Sequence, residues 1–173
     1  MEWRSPRSLP TVGAKGRVMP FHPIVVHLPV ALAILMPLVT IGLLLAWSRG
    51  LFQRRTWSIA IALQALLVGS GLLAMRTGEH DEERVEAVAG ESVIEAHEEA
   101  AERFVYGGAA VLVLALAAGL IPRDRAARAV AALAATGTLV VVGLGYLTGE
   151  SGGELVYRHG AASAFATDTG AGT

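Results

Sequence analysis

The sequence predicts an all-α membrane protein, a four-transmembrane-helix bundle with up-down-up-down topology. Hydrophobic residues make up 53% of its 173 residues, an excess typical of membrane proteins. Four runs contain no Asp, Glu, Lys or Arg, and each has about the ~20 residues that a helix needs to cross a ~30 Å hydrocarbon core. The connections within the first and second pairs of runs are short, which makes sequential helices antiparallel neighbours. The runs are residues 24–46, 57–75, 104–121 and 129–147.

Composition also excludes several functions. The net charge of −1 gives no indication of nucleic-acid binding, and the absence of cysteine excludes disulfides, thiolate metal sites, iron–sulfur clusters and covalently attached c-type haem. A cleaved signal peptide is an alternative for the first run, because basic residues precede it. That run is too long for a signal h-region, contains His and Pro, and lacks a small-residue cleavage site. It therefore predicts a membrane span.

Arginines indicate the orientation of the bundle. The two short loops, residues 47–56 and 122–128, carry six arginines and a single acid, Asp124. Loops rich in Lys and Arg stay cytoplasmic. The prediction is a multi-pass protein of the bacterial inner (cytoplasmic) membrane, with its termini and its acidic segment on the periplasmic side. The basic N-terminal tail opposes this orientation.

The acidic segment between the second and third runs is predicted to be helical. Ile94, His97, Ala101 and Phe104 follow the spacing i, i+3, i+7 and i+10, which is one stripe of a helix. Glutamates cover most of the remaining surface. The third helix should therefore begin near Glu91, well outside the lipid, and turn His97 toward the bundle.

Three segments are expected along the chain. Residues 1–20 form a loose N-terminal tail, and residues 21–160 form the four-helix transmembrane domain. The sequence after Leu147 becomes polar and rich in Gly, Ser and Thr, and residues 161–173 are expected to form a flexible C-terminal tail.

All five histidines map to the predicted outer end of the bundle. His22 and His27 lie at the mouth of the first span, His80 follows the second, His97 precedes the third and His159 follows the fourth. Several have simpler explanations: His22 adjoins a helix start at a proline, His80 lies in a solvated charge run, and His159 lies in a predicted GGELVYRHG turn. Together they indicate a cofactor site, because neutral imidazole binds Zn, Cu and Fe.

Hydrolytic chemistry finds no support. The zinc-protease pattern His-Glu-x-x-His is absent, because the segment HEEAA ends in alanine. The diiron Glu-x-x-His pattern is absent as well, since Ile94 stands three residues before His97. An electron-transfer or accessory subunit is expected rather than an enzyme.

Three motifs resemble a widespread bacterial family of four-span membrane proteins that is catalogued as a domain of unknown function. They are HPIVVHLPVAL at the first span, a central TGE…H segment, and YLTGESGGELVYRHG at the close, so the resemblance covers roughly residues 21–160. The family is similar in helix layout to b-type cytochrome membrane domains, and its members are sometimes fused to, or encoded beside, Rieske-type or c-type cytochrome modules. The resemblance implies that His22, His27, His97 and His159 are motif positions.

The leading hypothesis is an integral membrane subunit that binds haem b near its outer face and serves electron transfer. His27 and His97 are its expected axial pair, and His22 and His159 are the next candidates. The haem propionates would meet an arginine, for which the candidates are Arg76, Arg103 and Arg158. No histidine lies in an inner loop, so a pair of haems spanning the bilayer is excluded.

The depths of His27 and His97 leave the axial pair open. At 1.5 Å per residue, His27 lies about 4 Å inside the first run and His97 roughly 10 Å outside the third. Two ligands of one iron must be nearly level. Either the third helix sits deeper than its charges indicate, or His22 is the partner of His97.

Two further hypotheses remain. One is a periplasmic-face copper or zinc site built from His27, His97, His22, His159 and His80, with Glu79, Glu150 and Glu154 nearby. The other is a structural accessory subunit of a larger membrane complex, without a cofactor. The expected partners are the lipid bilayer and, for the redox hypothesis, other membrane redox subunits or a c-type or Rieske protein. No nucleic-acid partner is expected.

Overall fold

A computed structural model describes residues 22–165, which are almost entirely helical and include no strand. The predicted N-terminal tail, residues 1–20, and the last eight residues of the predicted C-terminal tail lie outside the described residues. The chain forms a short α1 (His22–Val25), four long helices and two 3₁₀ segments (Arg54–Trp57 and Ala161–Phe165). The long helices are α2 (His27–Ser48), α3 (Ser58–Ala89), α4 (Glu91–Leu120) and α5 (Asp124–Tyr157).

Four helical segments are long and apolar enough to span a membrane, which confirms the predicted all-α four-span fold. They are His27–Ser48, Arg54–His80, Glu91–Leu120 and Asp124–Tyr157. One end of the bundle is formed by the starts of α2 and α4 and the ends of α3 and α5. At this end α3, α4 and α5 extend past their apolar runs. We call this end the histidine end, and the opposite end the loop end. Helix α4 begins at Glu91, as predicted.

Three buried clusters follow one another along the bundle. The central cluster packs residues of all four long helices, among them Met36, Leu67, Phe104 and Val141. At the loop end, Trp47 and Trp57 pack against alanines of α4 and α5. A small third cluster lies at the histidine end and consists of Ala89, Ile94, Leu155 and Ala161. The bundle therefore continues as packed structure beyond its apolar spans.

Polar contacts join the helices inside the bundle. The Thr40 and Thr138 hydroxyls lie 3.5 Å apart between α2 and α5, and Gln64 Nε2 donates to the Gly108 carbonyl at 2.9 Å between α3 and α4. At the loop end, Trp57 Nε1 donates to the Ala115 carbonyl at 3.0 Å. Such interhelical hydrogen bonds satisfy polar groups where no bulk water is available. They hold the antiparallel helices in register.

Two glycines redirect the chain at the histidine end. Gly90 has φ +85° and separates α3 from α4, and Gly160 has φ +68° after α5. Positive φ is readily available only to glycine. After Gly160 the Ala161–Phe165 segment packs back on α3, so this part of the predicted C-terminal tail is structured.

The GGELVYRHG segment differs from its predicted turn, because α5 continues as a helix to Tyr157. Glycine disfavours a helix interior by about 1 kcal/mol relative to alanine. Tertiary contacts offset that cost here: Leu155 is buried in the third cluster, and Ser151 is hydrogen-bonded to His97 of α4. His159 therefore follows a helix end.

Candidate functional site

His22 and His97 meet at the histidine end. Their ring centres lie 6.4 Å apart, and their ring planes are nearly perpendicular at 88°. His22 begins α1, which packs on α3, and His97 lies in the second turn of α4. Both side chains are half-buried. The depths of the histidines in the sequence had left His22 as one of two possible explanations for the partner of His97, and this is the pair that the structure brings together.

The His22 imidazole sits on α3 just beyond the apolar run of that helix. Its Nδ1 lies 2.9 Å from the Ala74 carbonyl oxygen and 3.2 Å from Thr77 Oγ1. A carbonyl oxygen can only accept a hydrogen bond, so Nδ1 carries the proton in the neutral ring. The lone pair of the ring is then on Nε2, where a ligand can use it.

The His97 imidazole sits in the same way on the end of α5. Its Nδ1 lies 2.9 Å from Ser151 Oγ. Ser151 Oγ also lies 3.0 Å from the Thr148 carbonyl, which can accept its single hydroxyl proton. In that arrangement Ser151 Oγ accepts from the imidazole, so Nδ1 is protonated and the lone pair is on Nε2.

A glycine lies under each ring. A β carbon at Gly78 would lie 3.3 Å from His22 Cε1, and one at Gly152 would lie 3.0 Å from His97 Cε1. Both distances are shorter than an ordinary carbon–carbon contact of about 3.5–4.0 Å. Each ring therefore approaches its helix as closely as the absence of a side chain allows.

The two rings line a cavity of about 460 Å³. Its volume falls in the range of about 300–1,000 Å³ that is typical of small-molecule sites. Most of its wall is apolar and includes Met75, Val85, Ile94, Leu155 and Ala161. Four glutamates also line it, and we call them the rim glutamates: Glu79, Glu82, Glu98 and Glu102.

Burial and charge shift two pKa values at this cavity. Burial lowers the pKa of His97 below its ordinary 6.5, the charge of His22 lowers it further, and a hydrogen bond to the Thr148 backbone partly opposes both effects. Burial raises the pKa of Glu98, and the neighbouring carboxylates of the rim and of Glu95 add to the rise. Both groups precede Phe104, where the apolar part of α4 begins. At neutral pH, His97 is therefore in the uncharged form that binds metals.

The other predicted histidines lie elsewhere. His27 is exposed at the start of α2, His80 is exposed on α3, and His159 is half-buried after the end of α5. None of the three lines the cavity. His27 therefore does not lie beside His97 in this structure, and its predicted ligand role has no neighbouring partner ring.

The predicted propionate partners also lie outside the cavity lining. Arg103 pairs with Glu99 at 2.7 Å, and Arg158 pairs with Glu154 at 2.8 Å. Both are i, i+4 pairs on exposed helix surface, and Arg76 is exposed as well. These pairs explain the arginines as surface residues that stabilise their own helices.

No group of three or more His, Asp or Glu side chains in residues 22–165 converges as a metal ion would require. Among the acids named for a copper or zinc site, Glu79 lines the cavity, Glu150 is exposed, and Glu154 is paired with Arg158. The described cavity therefore offers two imidazoles without a converging third ligand.

Sequence reasoning missed the residues that hold the rings. Thr77–Gly78 and Ser151–Gly152 are both hydroxyl–glycine pairs, and each follows the apolar run of its helix. Their signal is the recurrence of the same pair at the same end of two spans.

The family comparison covers this whole site. A family model described as "Predicted membrane protein (DUF2231)" matches residues 18–164. The chain belongs to the DUF2231 family. This confirms the resemblance to a membrane protein family of unknown function, and the DUF2231 match includes both imidazoles and the cavity. No curated protein and no solved structure matches this DUF2231 chain.

Proposed function

We propose that this DUF2231 protein is an integral membrane protein that binds haem b in the cavity at its histidine end and transfers single electrons there. His22 and His97 are the proposed iron ligands. The observation that carries the proposal is that both imidazole rings make the same kind of hydrogen bond through Nδ1. Both Nδ1 atoms are used by protein acceptors, so both Nε2 lone pairs remain free beside one apolar cavity.

The ring separation fits one metal ion held between two imidazoles. A histidine nitrogen–metal bond is about 2.0 Å, and two such bonds end to end bring the ring centres to roughly 6–6.5 Å. The observed separation is 6.4 Å. Metal-bound histidines also usually donate their other N–H to a carbonyl or a similar acceptor. Ala74 and Ser151 supply such acceptors here.

The cavity wall suits the apolar faces of a haem. Its apolar side chains lie beside the rings, and the hydrogen bonds on Nδ1 favour the ligating tautomer of both imidazoles. Haem supplies reversible one-electron chemistry when bound, at a potential that is set by its ligands and their surroundings. Four rim glutamates line the same cavity. Their negative charges would repel the haem propionates, so we expect only moderate haem affinity. No arginine lines the described cavity, so we assign none to the propionates.

The copper or zinc alternative has less support, because the two imidazoles have no converging third ligand among the described residues. For the haem protein, we propose a histidine end that faces the periplasm and exchanges electrons with a c-type or Rieske protein. The arginines of the loop end support this orientation. The chain has no cysteine, so a single Glu95→Cys variant tests it. A membrane-impermeant maleimide should label this cysteine in intact cells. Labelling only after lysis would show that the histidine end faces the cytoplasm.

The haem proposal is tested by an absorption spectrum of the purified protein, with and without added hemin, oxidised and dithionite-reduced. A Soret band is expected, and His22→Ala or His97→Ala should abolish it. His27→Ala is the matched control, because His27 is exposed and lies outside the cavity.

Three results would overturn the proposal. The first is the absence of a Soret band in hemin-loaded protein. The second is a band that is lost in His27→Ala and kept in His22→Ala. The third is stoichiometric copper or zinc in colourless protein, which would favour the metal-ion alternative. Protein that stays colourless with hemin and contains no metal shows no Soret band, which is the first of these results. If such protein co-purifies with a larger membrane assembly, the accessory-subunit hypothesis is favoured.

A further inference from the structure

We infer that Thr77–Gly78 and Ser151–Gly152 are two copies of one positioning device, which holds each cavity imidazole with its Nε2 lone pair available to a ligand. We call each copy a seat. The identity of that ligand rests on the proposed function, but the orientation of the rings does not.

The two seats have the same spacing on two different helices. A backbone carbonyl at position i accepts from a hydroxyl at i+3, and a glycine follows at i+4. The first seat consists of Ala74, Thr77 and Gly78, with the hydroxyl 2.8 Å from the carbonyl. The second consists of Thr148, Ser151 and Gly152, with the corresponding distance 3.0 Å. In both, the imidazole comes from a different helix.

The hydroxyl determines the tautomer because it has one proton. In each seat that proton goes to the carbonyl of the same helix, so the hydroxyl oxygen can only accept from Nδ1–H. His22 has a second acceptor, since its Nδ1 also lies 2.9 Å from the Ala74 carbonyl. His97 depends more strongly on its hydroxyl, at 2.9 Å. Loss of the hydroxyl should therefore affect His97 more than His22.

The glycine determines how closely the ring lies on its helix. Cε1 stands between Nδ1 and Nε2 in the imidazole, so a β carbon pressed against Cε1 displaces both nitrogens. Helix packing does not explain Gly152, because a β carbon at Gly149 or Gly153 of the same helix would meet nothing within 4 Å. The close contact is confined to the position under the ring.

The first test uses the protein without haem. Nitrogen-15 NMR of the histidine side chains in detergent, at about pH 8, should give the Nδ1–H tautomer for His22 and His97. Ser151→Ala should shift His97 toward the Nε2–H tautomer, and Ser151→Thr should restore it. Thr77→Val should change His22 less. A wild-type Nε2–H tautomer, or no response to Ser151→Ala, would overturn the inference.

The second test uses hemin-loaded protein. Gly152→Ala should weaken haem retention by about 10- to 100-fold, the usual cost of losing a group that orients a metal ligand. Gly149→Ala is its matched control and should bind haem like the wild type. Equal retention in both variants would overturn the role of the glycine. The expected tautomers in a protein that binds no haem would instead support the seats and contradict the proposed function.

Discussion

Gly137 of α5 lies so close to Val111 of α4 that a β carbon at position 137 would be 2.7 Å from Val111 Cγ2. Val111 is buried at 4% exposure, and its branched side chain has few alternative rotamers. Small residues allow membrane helices this kind of close approach. The glycine therefore sets the spacing of α4 and α5.

Gly137→Ala should destabilise the bundle by about 1–3 kcal/mol, the usual cost of overpacking a core. The better helix propensity of alanine offsets only part of this cost. Gly143→Ala is the control, because a β carbon there would meet nothing within 4 Å. Thermal unfolding in detergent measures both variants. Equal stability of the two would mean that the α4–α5 interface adjusts to the extra methyl group.

Gln64→Leu should keep the free energy of unfolding or raise it by up to about 2 kcal/mol, because two effects of unequal size oppose each other. Gln64 is fully buried and donates to the Gly108 carbonyl, but its Oε1 meets no donor among the described residues. The lost hydrogen bond contributes about 0.6 kcal/mol in membrane proteins, and an unsatisfied buried acceptor costs about 1–3 kcal/mol. Unfolding by denaturant in detergent measures the balance. A large loss of stability would mean that Oε1 has a partner, such as a bound water.

Gly160→Ala should loosen the Ala161–Phe165 segment without unfolding the bundle. Gly160 has φ +68°, a conformation that costs other residues about 1–2 kcal/mol. Ala161 and Ala162 line the cavity, so the cavity should become more open to water. Hydrogen exchange of residues 161–165 measures the change, with Gly149→Ala as control. Unchanged protection in Gly160→Ala would show that packing on α3 alone holds the segment.

Glu98→Gln should raise haem affinity by about two- to fivefold, since exposed charges contribute roughly 0.2–1 kcal/mol. If haem occupies the cavity as proposed, the variant removes one of the rim glutamate charges that would repel its propionates. Glu91→Gln, at the exposed start of α4 and outside the cavity lining, is the control. Hemin titration measures both. A fall in affinity in Glu98→Gln would instead indicate a cationic ligand.

His97 should make the protein without haem less stable in weak acid. Its pKa is lowered in the fold, so the unfolded chain binds the proton more readily. The contribution of His97 is complete above its ordinary pKa of 6.5 and declines as the pH falls from there toward the lower pKa of the folded state. Thermal unfolding between pH 7.5 and 5.5 measures this decline. His97→Asn should reduce it, and an equal decline in the variant would assign it to other groups.

The spans were predictable because a charge in hydrocarbon is costly, so uninterrupted apolar runs mark the membrane segments. The start of α4 at Glu91 was predictable from the helical stripe that includes Ile94 and His97. Arg103 and Arg158 form ion pairs outside the cavity lining for a local reason. Each has a glutamate four residues earlier, and such pairs form on exposed helix surfaces without any cofactor.

The choice between His22 and His27 needed the tertiary structure. Val26 keeps helical dihedrals between α1 and α2, and the packing of α1 on α3 decides which imidazole faces the bundle. The two seats could not be predicted from the sequence either. The contact between Ser151 and His97 joins residues 54 positions apart, and no local pattern specifies which helix end will meet which ring.

The order in which the chain is synthesised determines when the cavity can exist. His22 is held by α3, while His97 is held by Ser151 near the end of α5. The first imidazole can dock once two long helices have been inserted, but the second must wait until the ribosome has made α5 as far as Ser151. Helices α2, α3 and α4 must therefore assemble with an incomplete cavity. Any ligand that both seated rings share can join the protein only after all four long helices have been made.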